Sequence, residues 1–102
     1  MIERRHNPDA EFAISLAEMG GCPEVDLHGR DTVDAELEVE RFLSEAYTQG
    51  YPVVRIIHGK GTGTLMRAIL KLLSSHSLVE QSRGSMNMHE MGAVVYVAMR
   101  KK

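Results

Sequence analysis

Ile56-Ile57-His58-Gly59-Lys60-Gly61-Thr62-Gly63-Thr64 is the stretch on which the reading of this chain turns. The apolar run Val53-Val54-Arg55-Ile56-Ile57 leads into it and reads as a buried strand. A helical pattern, Leu65 to Leu73, leads out of it. Between them stand three glycines at every second position, with one histidine and one lysine. A strand–glycine loop–helix junction can turn several backbone N–H groups into one concavity, and the helix behind it adds a positive N-terminal dipole. The glycines alone admit two readings, an anion-binding nest or a tight turn that needs glycine for geometry only. The stretch is not a Walker A loop, because its lysine precedes the glycine–threonine step and the long glycine spacing is missing.

Working outward, the nearly unbroken apolar strand before the loop suits a central strand covered on both faces. Upstream, Glu24-Val25-Asp26-Leu27-His28-Gly29 reads as a second strand ending in a turn. Alternation puts Asp26 and His28 on one face, Val25 and Leu27 on the other. Asp31 or Thr32 caps the helix between the two strands, and Val33, Leu37, Phe42/Leu43 and Ala46/Tyr47 form its expected apolar stripe. Gly50 ends that helix and Pro52 starts the next strand. After the glycine loop, Leu65, Met66, Ile69, Leu70, Leu72 and Leu73 mark a helix through about Ser75. Leu78 to Gly84 is a weaker strand, Ala93 to Met99 a clear one, and Met86, Met88 and Met91 lie in the loop between them, read as a lid on the core. Near the N-terminus, residues 1–8 read as a loose leader. Asn7 is a plausible N-cap and Pro8 a plausible first helical residue, with Phe12, Leu16 and Met19 as the face that packs. Gly20-Gly21 ends this short helix and Pro23 prevents its resumption.

The expected fold class is therefore α/β, an α+β sandwich of two or three layers. Its core order is β-α-β-α-β-β, with a four-stranded mixed sheet preceded by a short N-terminal helix. Residues 1–23 form leader and helix, and 24–102 the domain. The helical crossover makes the first two strands parallel, and the last two form an antiparallel hairpin.

Composition excludes several classes. The 102 residues suit one modest core, with 43% hydrophobic and 25% charged residues fitting a globular chain. No apolar run approaches the ~20 residues that span a bilayer, and no secretory signal is visible, so a cytoplasmic location and no membrane partner are expected. The single cysteine, Cys22, excludes an internal disulfide, and clustered Cys/His zinc spacing is missing. The net charge of −2 is unevenly spread. Residues 1–50 are strongly acidic, whereas residues 51–102 carry eight Lys/Arg against two acids. Such polarity can offer a basic face to a polyanion.

Parallel neighbouring strands end at the same sheet edge, where ligands of open α/β sheets bind. Asp26 and His28 should thus converge with His58 to Gly63. On a phosphodiester, His28 or His58 could move a proton at neutral pH, and Asp26 could orient His28 or hold a divalent cation. Lys60 and the N–H groups around Gly61 and Gly63 could stabilise phosphoryl charge. Arg67, one turn into the helix, and Arg30 could hold neighbouring phosphates. Each group also has a plain reading: Asp26 as a cap, either histidine as a strand-end filler, Lys60 as a solvated charge. His6, His76 and His89 are read as outside the site.

At these residues the chain resembles the Smr (small MutS-related) domain family. Val25-Asp26-Leu27-His28-Gly29 matches its apolar-Asp-Leu-His-Gly motif, Thr32-Val33-Asp34-Ala35 its helix start, and His58 to Gly63 its His-Gly-x-Gly-x-Gly motif. The resemblance spans about residues 24–99. It departs where many members have a glycine-rich loop before the last strand, since here only Gly92 remains among Met86-Asn87-Met88-His89-Glu90-Met91-Gly92. The resemblance implies the β-α-β-α-β-β fold, nucleic-acid binding and, in several members, endonuclease activity on branched or nicked DNA or on messenger RNA at stalled ribosomes. By position, Asp26 and His28 would be the catalytic pair, with His58 as a further candidate. Gly59, Lys60, Gly61, Thr62 and Gly63 would contact phosphate. Members differ in metal need, so Mg²⁺ or Mn²⁺ is left open, with Asp26 the ligand if any. The chain would act as a stand-alone member, with a ribosome or a DNA-repair protein as conceivable partners. A non-catalytic nucleic-acid adaptor is the rival reading. A small nucleotide-binding domain is a third, which no acidic ribose-binding residue or Walker lysine supports.

Overall fold

A computed structural model describes residues 7–102. The expected leader falls largely outside the described residues, as does His6. Helix α1 (Pro8–Gly20) is followed by β1 (Glu24–Asp26), α2 (Thr32–Gln49), β2 (Val53–Ile57), α3 (Thr64–Ser75), β3 (Val79–Gly84) and β4 (Val94–Met99). One four-stranded sheet has the order β1-β2-β4-β3. Strands β1 and β2 are parallel, β2 and β4 antiparallel, and β3 and β4 antiparallel. The mixed α+β architecture anticipated from periodicity is the one found.

Alternation along the two central strands explains the layers. Val54 and Ile56 of β2, with Val95, Val97 and Met99 of β4, enter the large core beneath α2 and α3. Val53 of β2 and Val94, Tyr96 and Ala98 of β4 face the other way and pack against Ala10 and Ile14 of α1. A strand buried on both faces has no polar positions to alternate with, which is why the sequence reads as an apolar run. Arg55 is the exception, held on the α1 side by Glu24 and Glu90.

Local signals set the helix ends. Asn7 Oδ1 accepts from the N–H groups of Asp9 and Ala10, and Pro8 opens α1. Asp31 caps α2 by accepting from the N–H of Asp34, and Gly50 closes it in the left-handed region.

Three expected packing faces are corrected. In α1 the buried side is Ala10 and Ile14, with Ala13 and Ala17 beside them, while Phe12, Leu16 and Met19 point outward at 66%, 53% and 87% exposure. Small side chains let this helix lie close to the sheet, so the larger ones occupy its outer ridge. In α2 the buried line is Ala35, Val39, Leu43 and Ala46, leaving Val33 and Leu37 exposed. Met86, Met88 and Met91 do not form a lid, because all three are exposed.

The charge asymmetry is also partly folded away. Arg83 binds Glu11 and Glu18 of α1, and Arg100 binds Glu80. With Arg55, three of the cations that made residues 51–102 basic are thereby neutralised, two of them by acids from the first 30 residues. Lys60, Arg67 and Lys71 carry no ion pair among the described residues.

Candidate nucleic-acid interface

The parallel pairing of β1 and β2 sets Asp26 opposite Ile57, and the Leu27 N–H donates to the Ile57 carbonyl at 2.7 Å. Both strands end there, and their following loops touch. A Cβ built on Gly59, whose φ is +80°, would stand 2.7 Å from the Cβ of His28. Glycine is thus required twice over at this position, by its left-handed backbone and by the side chain against it. The two sequence motifs, separated by a whole helix in the chain, meet at this point.

Asp26 and His28 form an exposed pair. The Asp26 carboxylate accepts from His28 Nδ1 at 2.7 Å and from the His28 backbone N–H at 3.1 Å. The hydrogen bond from the His28 ring, seconded by its backbone N–H, holds the Asp26 carboxyl below its ordinary value. An ionised carboxylate can only accept, so Nδ1 carries the proton and Nε2 is turned toward solvent.

His58 is built differently. It is 5% exposed, and its Nδ1 lies 2.9 Å from the Gly59 carbonyl oxygen, again an acceptor only. No buried side-chain nitrogen or oxygen among the described residues lacks a partner, so its unbonded Nε2 reaches the surface. The backbone N–H groups of His58 and Gly59 both donate to the Ala93 carbonyl, at 2.9 and 3.0 Å, tying the loop to the start of β4. Ala93 acts through its backbone, so no side-chain signal in the sequence marks it.

Beyond Gly59 the loop opens outward. Lys60, Gly61 and Thr62 are exposed. Gly63 (φ +90°) is the N-cap of α3 and offers no side-chain cap; the Thr64 N–H reaches the Thr62 hydroxyl at 3.4 Å, and among the described residues no side chain takes the next N–H groups of the helix, which are left to a ligand or water. Thr62 and Thr64 hydroxyls bond each other at 3.0 Å. Arg67 folds back over this end, with Nη1 2.9 Å from where a Gly63 Cβ would be. The cluster therefore combines an ionised acid, two imidazoles with bare Nε2 atoms, a lysine, an arginine and an uncapped helix N-terminus. Arg30 is engaged elsewhere, 3.6 Å from Glu38 on α2. His76 bonds Glu40 through Nε2 and accepts from the Leu78 N–H at 3.1 Å, linking α2 to the start of β3. The ring of His89 bonds to none of the site residues, although its loop borders the same edge through Ala93. Cys22 is half-buried, and burial pushes its thiol up, away from nucleophilic use.

No group of three or more His, Cys, Asp or Glu among the described residues could hold a metal ion. No helix among them is long and apolar enough to cross a membrane.

The family model of the Smr domain matches residues 25–100. The endonuclease MutS2 of Caldicellulosiruptor saccharolyticus is 40% identical over 83 residues, which is 80% of this chain and 10% of that protein. The chain thus spans about a tenth of the length of the curated relatives it matches. The Smr domain of Thermus thermophilus MutS2 superposes with a TM-score of 0.73 at 40% identity, covering 78% of this chain and 99% of that domain. YdaL, a stand-alone small MutS-related protein from Escherichia coli, superposes with a TM-score of 0.77 over 97% of this chain and 82% of its own, at 21% identity, a likeness of fold. With both motifs at one sheet edge and the family model spanning residues 25–100, from β1 through β4, this protein belongs to the Smr domain family.

Proposed function

We propose that this chain binds nucleic acid at the β1–β2 edge and hydrolyses a phosphodiester bond there, acting as a small cytoplasmic endonuclease on branched DNA or RNA. The observation that carries this reading is the exposed Asp26–His28 pair lying against Gly59, at the mouth of a loop whose Lys60, with Arg67 behind it, carries no ion pair among the described residues. His28 Nε2 takes a proton from the attacking hydroxyl or gives one to the leaving oxygen. Asp26 fixes the tautomer and supports the imidazolium that forms. His58 braces the loop through Nδ1 and presents Nε2 to the bound backbone. Lys60, Arg67 and the N–H groups around Gly61 and Gly63 hold the phosphoryl oxygens. One Asp26 oxygen carries no bond from the described residues. That suffices for Mg²⁺ or Mn²⁺ held jointly with substrate phosphates, since Mg²⁺ commonly takes only one or two carboxylates.

Labelled branched DNA and RNA, incubated with the protein with and without Mg²⁺ or Mn²⁺, test the reading. Wild type cleaves, and Asp26→Ala or His28→Ala abolishes cleavage while the fold is kept. A 2′,3′-cyclic phosphate product identifies histidine chemistry on RNA. Cleavage unchanged in both variants overturns the assignment.

The rival adaptor reading has its own support in the uncapped helix end and the unpaired cations, which bind phosphate without any chemistry. It predicts no cleavage under any condition, with binding that weakens on Lys60→Ala plus Arg67→Ala. The slope of log affinity against log salt would fall by about 1.8.

A further inference from the structure

The outer ridge of α1 is apolar where a surface helix is ordinarily polar. Phe12, Leu16 and Met19 repeat at the spacing of one helix face and are more than half exposed. Met86 extends the ridge, because its backbone N–H donates to Glu18 at 2.9 Å, which seats it beside the last turn of α1, and its side chain is 68% exposed. We propose that this ridge is the contact between two copies of the chain, which pair as a twofold dimer with their α1 helices antiparallel.

Size supports a second copy. The four side chains present on the order of 500 Å² of exposed surface, judged from the usual areas of large apolar residues. Two such ridges set face to face would bury on the order of 1,000 Å² in total, which reaches the lower mark for a specific interface. Charge supports it too. Glu11 and Glu18 flank the ridge and would repel their equivalents, but both are already paired with Arg83 of the same chain. Asp9 is the remaining acid on the outer side, at the N-terminal end. A parallel pairing sets Asp9 against Asp9 and aligns the two helix dipoles. The antiparallel one instead moves the two Asp9 carboxylates to opposite ends of the interface and opposes the two helix dipoles. With Leu16 near the twofold axis, Phe12 then meets Met19 across the interface, a favourable sulfur–aromatic contact. The proposal does not depend on the nuclease reading, because the ridge lies on the outside of α1 and contributes nothing to the Asp26–His28 pair.

Sedimentation equilibrium of the full chain across about 1 to 300 µM decides the matter by mass action. The expected mass rises from 11.4 kDa toward twice that value. Leu16→Glu returns the protein to monomer, weakening self-association at least about tenfold, with the melting temperature of the dilute protein retained because Leu16 faces outward. In a Cys22→Ser background, Leu16→Cys forms an intermolecular disulfide efficiently on mild oxidation, whereas Asp9→Cys does not. A mass of 11.4 kDa throughout, or a dimer untouched by Leu16→Glu, overturns the proposal. Efficient crosslinking by Asp9→Cys overturns the antiparallel arrangement.

Discussion

Two of the acid–base constellations on the α1 side of the sheet, Asp26–His28 and Arg83 with Glu18, differ in how far they are open to solvent. Asp26–His28 stands at the open end of β1, with side chains 50% and 72% exposed. Arg83 with Glu18 lies under α1 at 18% and 17%, the Nη2–Oε1 distance being 2.6 Å. In the sequence both are carboxylates and bases scattered among apolar residues. In the fold one is available to a ligand, and the other, reinforced by Glu11, fastens a helix to a sheet. Exposure and the freedom of the second nitrogen, more than residue type, separate a reactive pair from a structural one.

The contrast can be broken from either side. The largest effect is expected at the open pair. His28→Ala or Asp26→Ala lowers cleavage by about 10²–10⁴-fold, the usual share of general acid–base catalysis. Thermal melts of the same variants shift little, since no packing is lost. Reversing the roles, Arg83→Met leaves Glu11 and Glu18 with no cation beneath α1. It should destabilise the fold by about 2–3 kcal/mol in urea titrations, while cleavage per folded molecule is retained. Comparable melting shifts in both sets would erase the distinction.

A smaller effect sharpens the comparison at the contact between the loops. Gly59→Ala must shift His28 or strain a left-handed residue, at about 1–2 kcal/mol. Cleavage should fall about tenfold or more through misplacement of the His28 ring, and an amide spectrum should show changes centred on residues 26–30 as well as 58–61. Changes confined to the mutated loop would mean that the two motifs are not mechanically joined.

The smallest effect is in pH dependence. Arg83 lowers the Glu18 carboxyl, while the Ser85 hydroxyl and then Arg55 lower that of Glu90, both from an ordinary 4.5. Depressed acids contribute stability that is full above the unfolded value and is lost as pH falls through the folded values. Urea midpoints should therefore hold above about pH 5 and decline below about 4.5. Arg83→Met should flatten that decline by removing the main cause of the Glu18 shift. A decline of the same size in the variant would assign acid sensitivity to other carboxylates.

Particular residues mark how far sequence reading reached. The continuous apolar character of Val53 to Ile57 foretold a central strand, and Asn7, Asp31 and Gly50 foretold helix ends, because these are local demands of backbone hydrogen bonding. The convergence of Asp26 with the glycine loop followed from the handedness and parallel pairing of a crossover. The outward turn of Phe12, Leu16 and Met19 did not follow. A helix carrying both an alanine side and a large apolar side gives no local sign of which one the sheet accepts. Nor did the fate of the basic half, where Arg55 and Arg83 are consumed by acids remote in the chain.

The sequence by itself determined the order of elements, the caps and the pair of motifs, since each depends on interactions over a few residues. Tertiary structure alone decided that His28 rests on Gly59, that His58 is braced while His28 is open, and that α1 shows its bulkier side to solvent. Those outcomes depend on which surfaces of distant segments fit together, and fit at close packing is a property of pairs of faces, absent from either segment taken singly.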